Sequence, residues 1–591
     1  MVNLREKPYY LNDEQIQWVE DTIAGMTIEE KIGQLFVNMV GNAEERKPEN
    51  IKKVLDTYHP GAIRYHNAPK EEIWAMADCL QKTTKIPLLI ASNCEAGGNG
   101  GTGGGTPIAN GAAMAAIDSE EAVTEMATIS AREAAAVGCN WNFAPIVDLT
   151  YNWRNTIVQL RAFNDNPEDV IRYAKAFFKG MKTQNIATCM KHFPGDGTEE
   201  NDQHLIMGVN EYDCDKWDAT FGKVYKELID AGVMTIMAGH IALPAYSKKL
   251  RPGIKDEDIR PATLAPELIT DLLKGQLGFN GLVVTDASHM IGMFGATIPR
   301  KEQVPQAIAA GCDMYLFFND REEDFGYMME GYKNGTITEE RLNDALHRIL
   351  GVKAALNLHI LQKEGKLVQP KENLAVVGCE EHHKASREFA DKYVTLVKDR
   401  LNYLPMTPER YKRIMIVHVK GAESGMSALA KAMGMAGGTN PAELLRDKLI
   451  SKGFDAFIYE SPVDKMKKQI EAGEKPDINI YFAGKNAIAD FVKDMDLVIT
   501  LCDINEGRPS FGLSKGGGEI PWYVFEIPVV AVSCGQPTML ADIPQVRTYI
   551  NAYDTKDSTF DALVENLMTG EEAFKGQDPI DSFCGLFDAR L

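Results

Sequence analysis

The sequence predicts an α/β protein in two parts: an N-terminal (β/α)8 barrel of the TIM type, then a C-terminal α/β/α sandwich domain. Three observations carry this. Eight short apolar runs alternate with longer amphipathic stretches over residues 1–320. A polar, aperiodic stretch follows at 362–373. A second series of strand-like runs then begins.

The eight runs lie at 34–38, 61–64, 87–91, 139–145, 186–191, 233–237, 281–285 and 314–317. Continuous apolar runs bounded by polar turns suit strands buried on both faces, as in a parallel sheet. Eight of them separated by helical stretches suggest a barrel. Among the linking segments, 118–136 reads as a helix, and 164–174 opens with capping residues and a first-turn proline. Helical patterning after the eighth run extends to about residue 358. The expected boundaries are therefore a catalytic barrel over 1–360, a linker over 361–380 and a sandwich over 381–591. Within the sandwich, runs at 414–418, 497–501 and 527–533 alternate with helical stretches.

Bulk properties exclude several classes. The 591 residues are too many for one core. No stretch of 18 apolar residues occurs, so no membrane span is expected. A net charge of −21 repels nucleic acid. The N-terminus lacks a basic region followed by an apolar one, so no signal peptide is expected. The ten cysteines are scattered, without a Cys-x-x-Cys pair, which argues against structural zinc and for a reducing, cytoplasmic setting. The glycine-rich stretch 97–106 lacks the Lys-Ser/Thr of a phosphate-binding loop and reads as a flexible active-site loop. No metal or cofactor is expected.

Chemistry in such a barrel sits at the carboxyl ends of the strands. Strand three brings Asn93 and Glu95 there, and strand four brings Asp148, with Arg154 and Arg161 in the loop beyond. Strand five brings Lys191 and His192 and the loop 193–204; strand six brings His240; strand seven brings Asp286 and His289. This ring suits a small polar substrate. Asp286 ends an apolar run, and position alone leaves a helix cap and catalysis equally open.

The most specific feature is Lys191-His192-Phe193-Pro194-Gly195-Asp196-Gly197, followed after a short loop by Asp202-Gln203-His204. It resembles the signature of glycoside hydrolase family 3 in its β-N-acetylglucosaminidase branch, which reads Lys-His-Phe-Pro-Gly-His-Gly, a short loop, then Asp-Ser-His. Segments 26–36, 142–148, 160–163 and 348–353 are similar to the family's opening helix, fourth strand, Arg-Ser-Phe and closing helix. The resemblance spans about residues 10–355, and the sandwich by order and size only.

The resemblance implies that Asp286 is the nucleophile of a retaining reaction and His204 the general acid and base, oriented by Asp202. An imidazole titrates near neutrality, and a neighbouring carboxylate fixes its tautomer. Asn93, Arg161, Lys191, His192 and His240 are the expected sugar-binding residues. His240 is equally open to a structural role, and Met290 reads as core packing behind the nucleophile.

Three positions depart from the family pattern. Asn93 stands where the family has Asp and loses the charge. Asp196 stands where this branch has His, as in the family's glucosidases and exoglucanases. Asn155-Thr156-Ile157-Val158-Gln159 replaces Asn-Pro-Val-Ile-Gly. The glucosidase branch takes its acid from a carboxylate of the second domain; Glu506 and Glu519 are candidates, but the Asp-x-His loop makes them unnecessary, and surface or interface roles are expected.

The expected function is a retaining, exo-acting β-N-acetylglucosaminidase with a small carbohydrate substrate. The alternatives are a β-glucosidase or β-xylosidase, a sugar phosphorylase (a histidine acid/base repels phosphate less than a carboxylate does), and a sugar-binding protein without catalysis.

Overall fold

The computed structural model describes residues 2–294, 298–420, 440–460, 462–476, 492–504 and 523–585. Glu506 and Glu519 lie outside the described residues. The chain divides into two compact units, Met1–Met114 with Ser119–Ser386 and Ala115–Asp118 with Arg387–Leu591.

The first unit is a closed barrel. Its strands are β1 (Phe36–Val40), β2 (Ala62–Tyr65), β3 (Leu89–Ser92), β4 (Trp141–Asn142), β5 (Ala187–Phe193), β7 (Thr235–Ala238), β9 (Leu282–Ala287) and β10 (Met314–Leu316). They overlap the eight apolar runs and close in the order β1-β10-β9-β7-β5-β4-β3-β2, all parallel. Two short strands, β6 (Gly208–Val209) and β8 (Ile241–Ala242), form a separate parallel pair at the rim. Strand β4 is shorter than its apolar run. Pro145 has no N–H to give to the ladder, and pairing resumes only at the single bridge between Ile146 and Lys191.

The helices start where side chains can cap them. Ser119 accepts from the N–H of Ala122 at the head of Glu120–Ala136, and Asn166 caps Pro167–Lys182, where proline fills the first turn. Thr27 and Glu30 form a reciprocal capping box on Ile28–Gln34. The barrel interior is apolar with its polar atoms paired: the Trp141 indole donates to Thr235 Oγ1 at 2.9 Å, and Thr235 donates to the Thr188 carbonyl at 2.8 Å. Below β9 and β10, Asp313 accepts from the Val283 N–H at 2.8 Å and from Lys274 at 2.9 Å, and Arg348 reaches the Gly281 carbonyl at 2.6 Å. These bonds fix the lower end of β9, whose upper end carries Asp286.

The polar stretch 362–373 is held to the barrel helix Lys70–Thr83. Trp74 donates to the Gln369 carbonyl at 2.8 Å, and Lys70 to the carbonyls of Leu374 and Val377 at 3.0 and 3.2 Å.

The second unit is built on a six-stranded mixed sheet. Its strands are β11 (Thr395–Asp399), β12 (Arg413–Lys420), β13 (Asp455–Ile458), β14 (Leu497–Asp503), β15 (Val529–Ser533) and β16 (Thr548–Asn551). Their order is β11-β16-β15-β14-β12-β13, with only the β11–β16 pair antiparallel. Among the described residues no helix is long and apolar enough to cross a membrane, and all ten cysteines are free thiols.

Candidate active site

Asp286 is the fifth residue of β9 and is only 8% exposed. Its Oδ1 accepts the N–H of Ala287 at 2.7 Å, so the carboxylate is held by its own strand end and caps no helix. Burial pushes its proton affinity up, but His192, His240, the Ala287 N–H and Lys191 outweigh it and hold the carboxyl below its usual range. The side chain is thus ionised, buried and close to cationic and donor groups, which suits a nucleophile.

The loop after β5 carries the second group. Asp202 Oδ1 lies 2.7 Å from His204 Nδ1 and also accepts the His204 N–H at 2.8 Å. The hydrogen bond that His204 donates to Asp202 raises the His204 pKa above its usual value; burial and Arg161 pull it down, while the charge of Asp286 adds to the rise. Asp202 itself is held low: burial raises it, and the contacts with His204 outweigh that. The His204 side chain is half exposed at 51%, so it can exchange its proton with a substrate and with solvent.

The residue between the dyad partners points the other way. Gln203 is buried, donates to Asp196 Oδ2 at 3.1 Å and accepts the His240 N–H at 3.2 Å. Asp196 is held in turn by Asn155 at 3.0 Å and by the Gly197 N–H at 2.6 Å, and donates its own N–H to Asp148. The ends of the loop are pinned as well: the Gly239 N–H reaches the Phe193 carbonyl at 2.8 Å, and the Gly208 N–H reaches the His240 carbonyl at 2.9 Å. Sequence reasoning missed Gln203 as an anchor and noted Asp196 only as a departure.

Burial and the neighbouring Asp148 push the Asp196 pKa up to about 6. Between the unfolded carboxylate value near ~4 and about 6 the folded state holds more protons, so stability falls as pH rises through that window. Asn cannot ionise. The melting temperature of Asp196→Asn relative to the parent is therefore expected to rise by about 2–4 °C on going from pH 4.5 to pH 7.5. A difference independent of pH, measured by differential scanning fluorimetry, would remove this account.

The remaining predicted residues line the same rim. Glu95 accepts from Arg161 Nε and Nη2 at 3.0 and 2.9 Å and pairs with Lys191 Nζ at 2.6 Å. Burial opposes its ionisation, but the two cations hold its carboxyl well below the usual range. Arg161 and Lys191 are thereby drawn together by a residue that the expected binding set omits. Asn93 stands exposed two residues before Glu95. His192 is buried with Nδ1 2.7 Å from Asp148 Oδ2, leaving Nε2 as the ring nitrogen for a ligand. His240 has both ring nitrogens occupied: Nδ1 lies 3.1 Å from Thr263 Oγ1 and Nε2 3.0 Å from the Ala287 carbonyl. Burial lowers its pKa, which fits a neutral ring accepting from the hydroxyl and donating to the carbonyl. Met290 is buried, and His289 is exposed with its ring stacked on Phe317.

The glycine-rich stretch is tightly folded, unlike the flexible loop expected. Asn93 donates its N–H to Gly100 O, Ile108 to Ala96 O and Gly103 to Ala68 O. A Cβ on Gly100 would lie 2.0 Å from the Asn93 carbonyl, and Gly97 has φ +134°. Glycine here permits close backbone approach. Buried Glu133 closes the knot, taking the Thr106 N–H at 2.7 Å and hydroxyl at 2.6 Å, with His382 Nδ1 at 2.7 Å. Asn93 and Glu95 are therefore presented by a fixed turn. Among the described residues no group of three metal-ligating side chains converges.

The profile of the glycosyl hydrolase family 3 N terminal domain matches residues 27–352. The chain belongs to glycoside hydrolase family 3. It is 36% identical to a β-N-acetylglucosaminidase/β-glucosidase of Cellulomonas fimi over the full length of both. The solved structure of the β-glucoside phosphorylase BglX bound to 2FGlc is 35% identical, covers 99% of each chain and superposes with a TM-score of 0.87. A family 3 β-N-acetylglucosaminidase from Paenibacillus sp. str. FPU-7, 23% identical, shares the fold with a TM-score of 0.74 over 94% of this chain and 99% of its own. The family places the chain among carbohydrate-active enzymes that cleave glycosidic bonds.

Proposed function

We propose that the protein is a retaining, exo-acting β-glycosidase that releases terminal β-linked N-acetylglucosamine through a glycosyl-Asp286 intermediate. The observation that carries this is the Asp202–His204 dyad at 2.7 Å, whose histidine feels the charge of Asp286. In the first step Asp286 attacks the anomeric carbon, the bond to the leaving oxygen breaks, and that oxygen takes the proton of His204. In the second step neutral His204 takes a proton from an incoming nucleophile, which displaces Asp286. Two inversions retain the configuration. Asp202 steadies the imidazolium that is present before the first step and re-formed in the second. Arg161, Lys191, His192 Nε2 and Asn93 hold the sugar hydroxyls, and His240 braces the turn after Asp286 through the Ala287 carbonyl.

A second reading makes phosphate the incoming nucleophile. An imidazole at the acid/base position leaves the approach free of the anion that would repel phosphate, and the full-length likeness to a β-glucoside phosphorylase supports it. One panel separates the readings: aryl β-GlcNAc and β-glucoside, each with and without phosphate, with products separated. Cleavage of the N-acetylglucosaminide is expected. An inert N-acetylglucosaminide beside a cleaved glucoside overturns the sugar assignment, and a sugar 1-phosphate in place of free sugar assigns phosphorolysis.

A further inference from the structure

Nine large apolar side chains stand out as exposed among the described residues, and three of them flank His204. Leu205 is 65% exposed, Ile206 53% and Ile291 54%. The first two follow the acid/base directly. The third is brought beside it from the other side, because the Ile291 N–H donates to the His204 carbonyl at 2.9 Å. Both backbones are fixed: the N–H groups of Leu205 and Ile206 reach the Asp202 carbonyl at 2.8 and 3.0 Å, and a Cβ on Gly292 would lie 2.1 Å from the Gln203 carbonyl.

A single exposed aliphatic needs no explanation, but three around one functional group at the mouth of a charged site do. The site below them is polar, with Asp286, Glu95, Lys191, Arg161 and Asp202, as a sugar requires. The three apolar groups are exposed and are held beside His204 through its own backbone neighbours and its carbonyl.

We infer that Leu205, Ile206 and Ile291 form the leaving-group subsite and select substrates whose aglycone is apolar, an alkyl or aryl group rather than a second sugar. This rests on the glycosidase reading above. The acid must sit on the glycosidic oxygen, and the other substituent of that oxygen is the aglycone, so the surface bordering His204 is where the aglycone goes. An apolar aglycone removes these side chains from water. A glycosyl aglycone would cover them with hydroxyls that find no partner there. By microscopic reversibility the same surface accepts apolar alcohols when the glycosyl intermediate is transferred instead of hydrolysed.

The test uses the full-length enzyme and n-alkyl β-glycosides, methyl to octyl, of whichever sugar it cleaves. Their leaving groups are chemically alike, so differences in kcat/KM report contacts with the chain. The parent is expected to gain about two- to fourfold per methylene over the first few carbons. In Ile291→Ser and in the triple variant Leu205→Ser/Ile206→Ser/Ile291→Ser, the octyl-to-methyl ratio should collapse towards one. Because the ratio is taken within each protein, partial misfolding does not imitate it. A flat series in the parent, or an undiminished ratio in both variants, overturns the subsite while leaving the glycosidase reading intact. Loss of turnover on every member in the parent overturns both.

Discussion

Asp286→Ala is expected to abolish turnover, with a loss on the order of 10⁶-fold in kcat, as for removal of a covalent nucleophile elsewhere. The buried carboxylate feels His192, His240 and Lys191, and among the described residues the other carboxylates of the rim are engaged: Glu95 by Arg161 and Lys191, and Asp202 by His204. The substitution opens a small space beside the anomeric carbon. Azide or formate should enter it and restore part of the activity on an activated aryl glycoside, and the product should be the α-glycosyl azide, because one displacement replaces two. More than a trace of unaided turnover, or a β-configured product, would move the nucleophile to another residue.

His204→Ala should act differently. Leaving groups that need a proton are expected to lose about 10²- to 10⁴-fold in kcat/KM, while a dinitrophenyl glycoside, which needs none, is expected to keep most of its first step. Its second step then limits, and azide should relieve it with formation of the β-glycosyl azide, since both displacements remain. The pH profile gives an independent reading. The Asp202 hydrogen bond raises the His204 pKa, so the acid form persists above the ordinary imidazole value of ~6.5 and is lost as pH rises further. The alkaline limb of kcat/KM in the parent should therefore lie above that value and be absent in the variant. Equal slowing of all leaving groups, or an unchanged limb, would remove the acid role.

The barrel was legible because its strands are buried on both faces and so appear as unbroken apolar runs, β9 and β5 most clearly. Strands that are half-exposed or very short were not singled out. In the second unit β11 and β13 carry polar residues among apolar ones and lie at the sheet edges, and β16 is four residues long with Thr and Asn at its ends. The dyad was legible because Asp202 and His204 lie two residues apart. The anchors were not. Gln203 acts through Asp196 and His240, and Glu95 through Arg161 and Lys191, partners that only the closed barrel brings near. The glycine-rich stretch was misjudged for a related reason: composition alone does not distinguish a chain that is free to move from one whose backbones must approach within van der Waals contact, as at Gly97 and Gly100.

The loop bearing the dyad leaves the barrel at Phe193 and reaches the short rim strand β6 at Gly208, and both ends are stitched to the sixth barrel strand's extension through Gly239 and His240. It is a handle on a fixed frame. Lengthening the loop at its exposed residues Glu200 and Asn201 adds little beyond the closure entropy of a longer loop, about 0.6 kcal/mol per doubling, while the frame keeps its strands in register. His204 and two of the three apolar side chains that border it, Leu205 and Ile206, lie on this one segment, so a change of substrate range can arise in this loop without a change of fold.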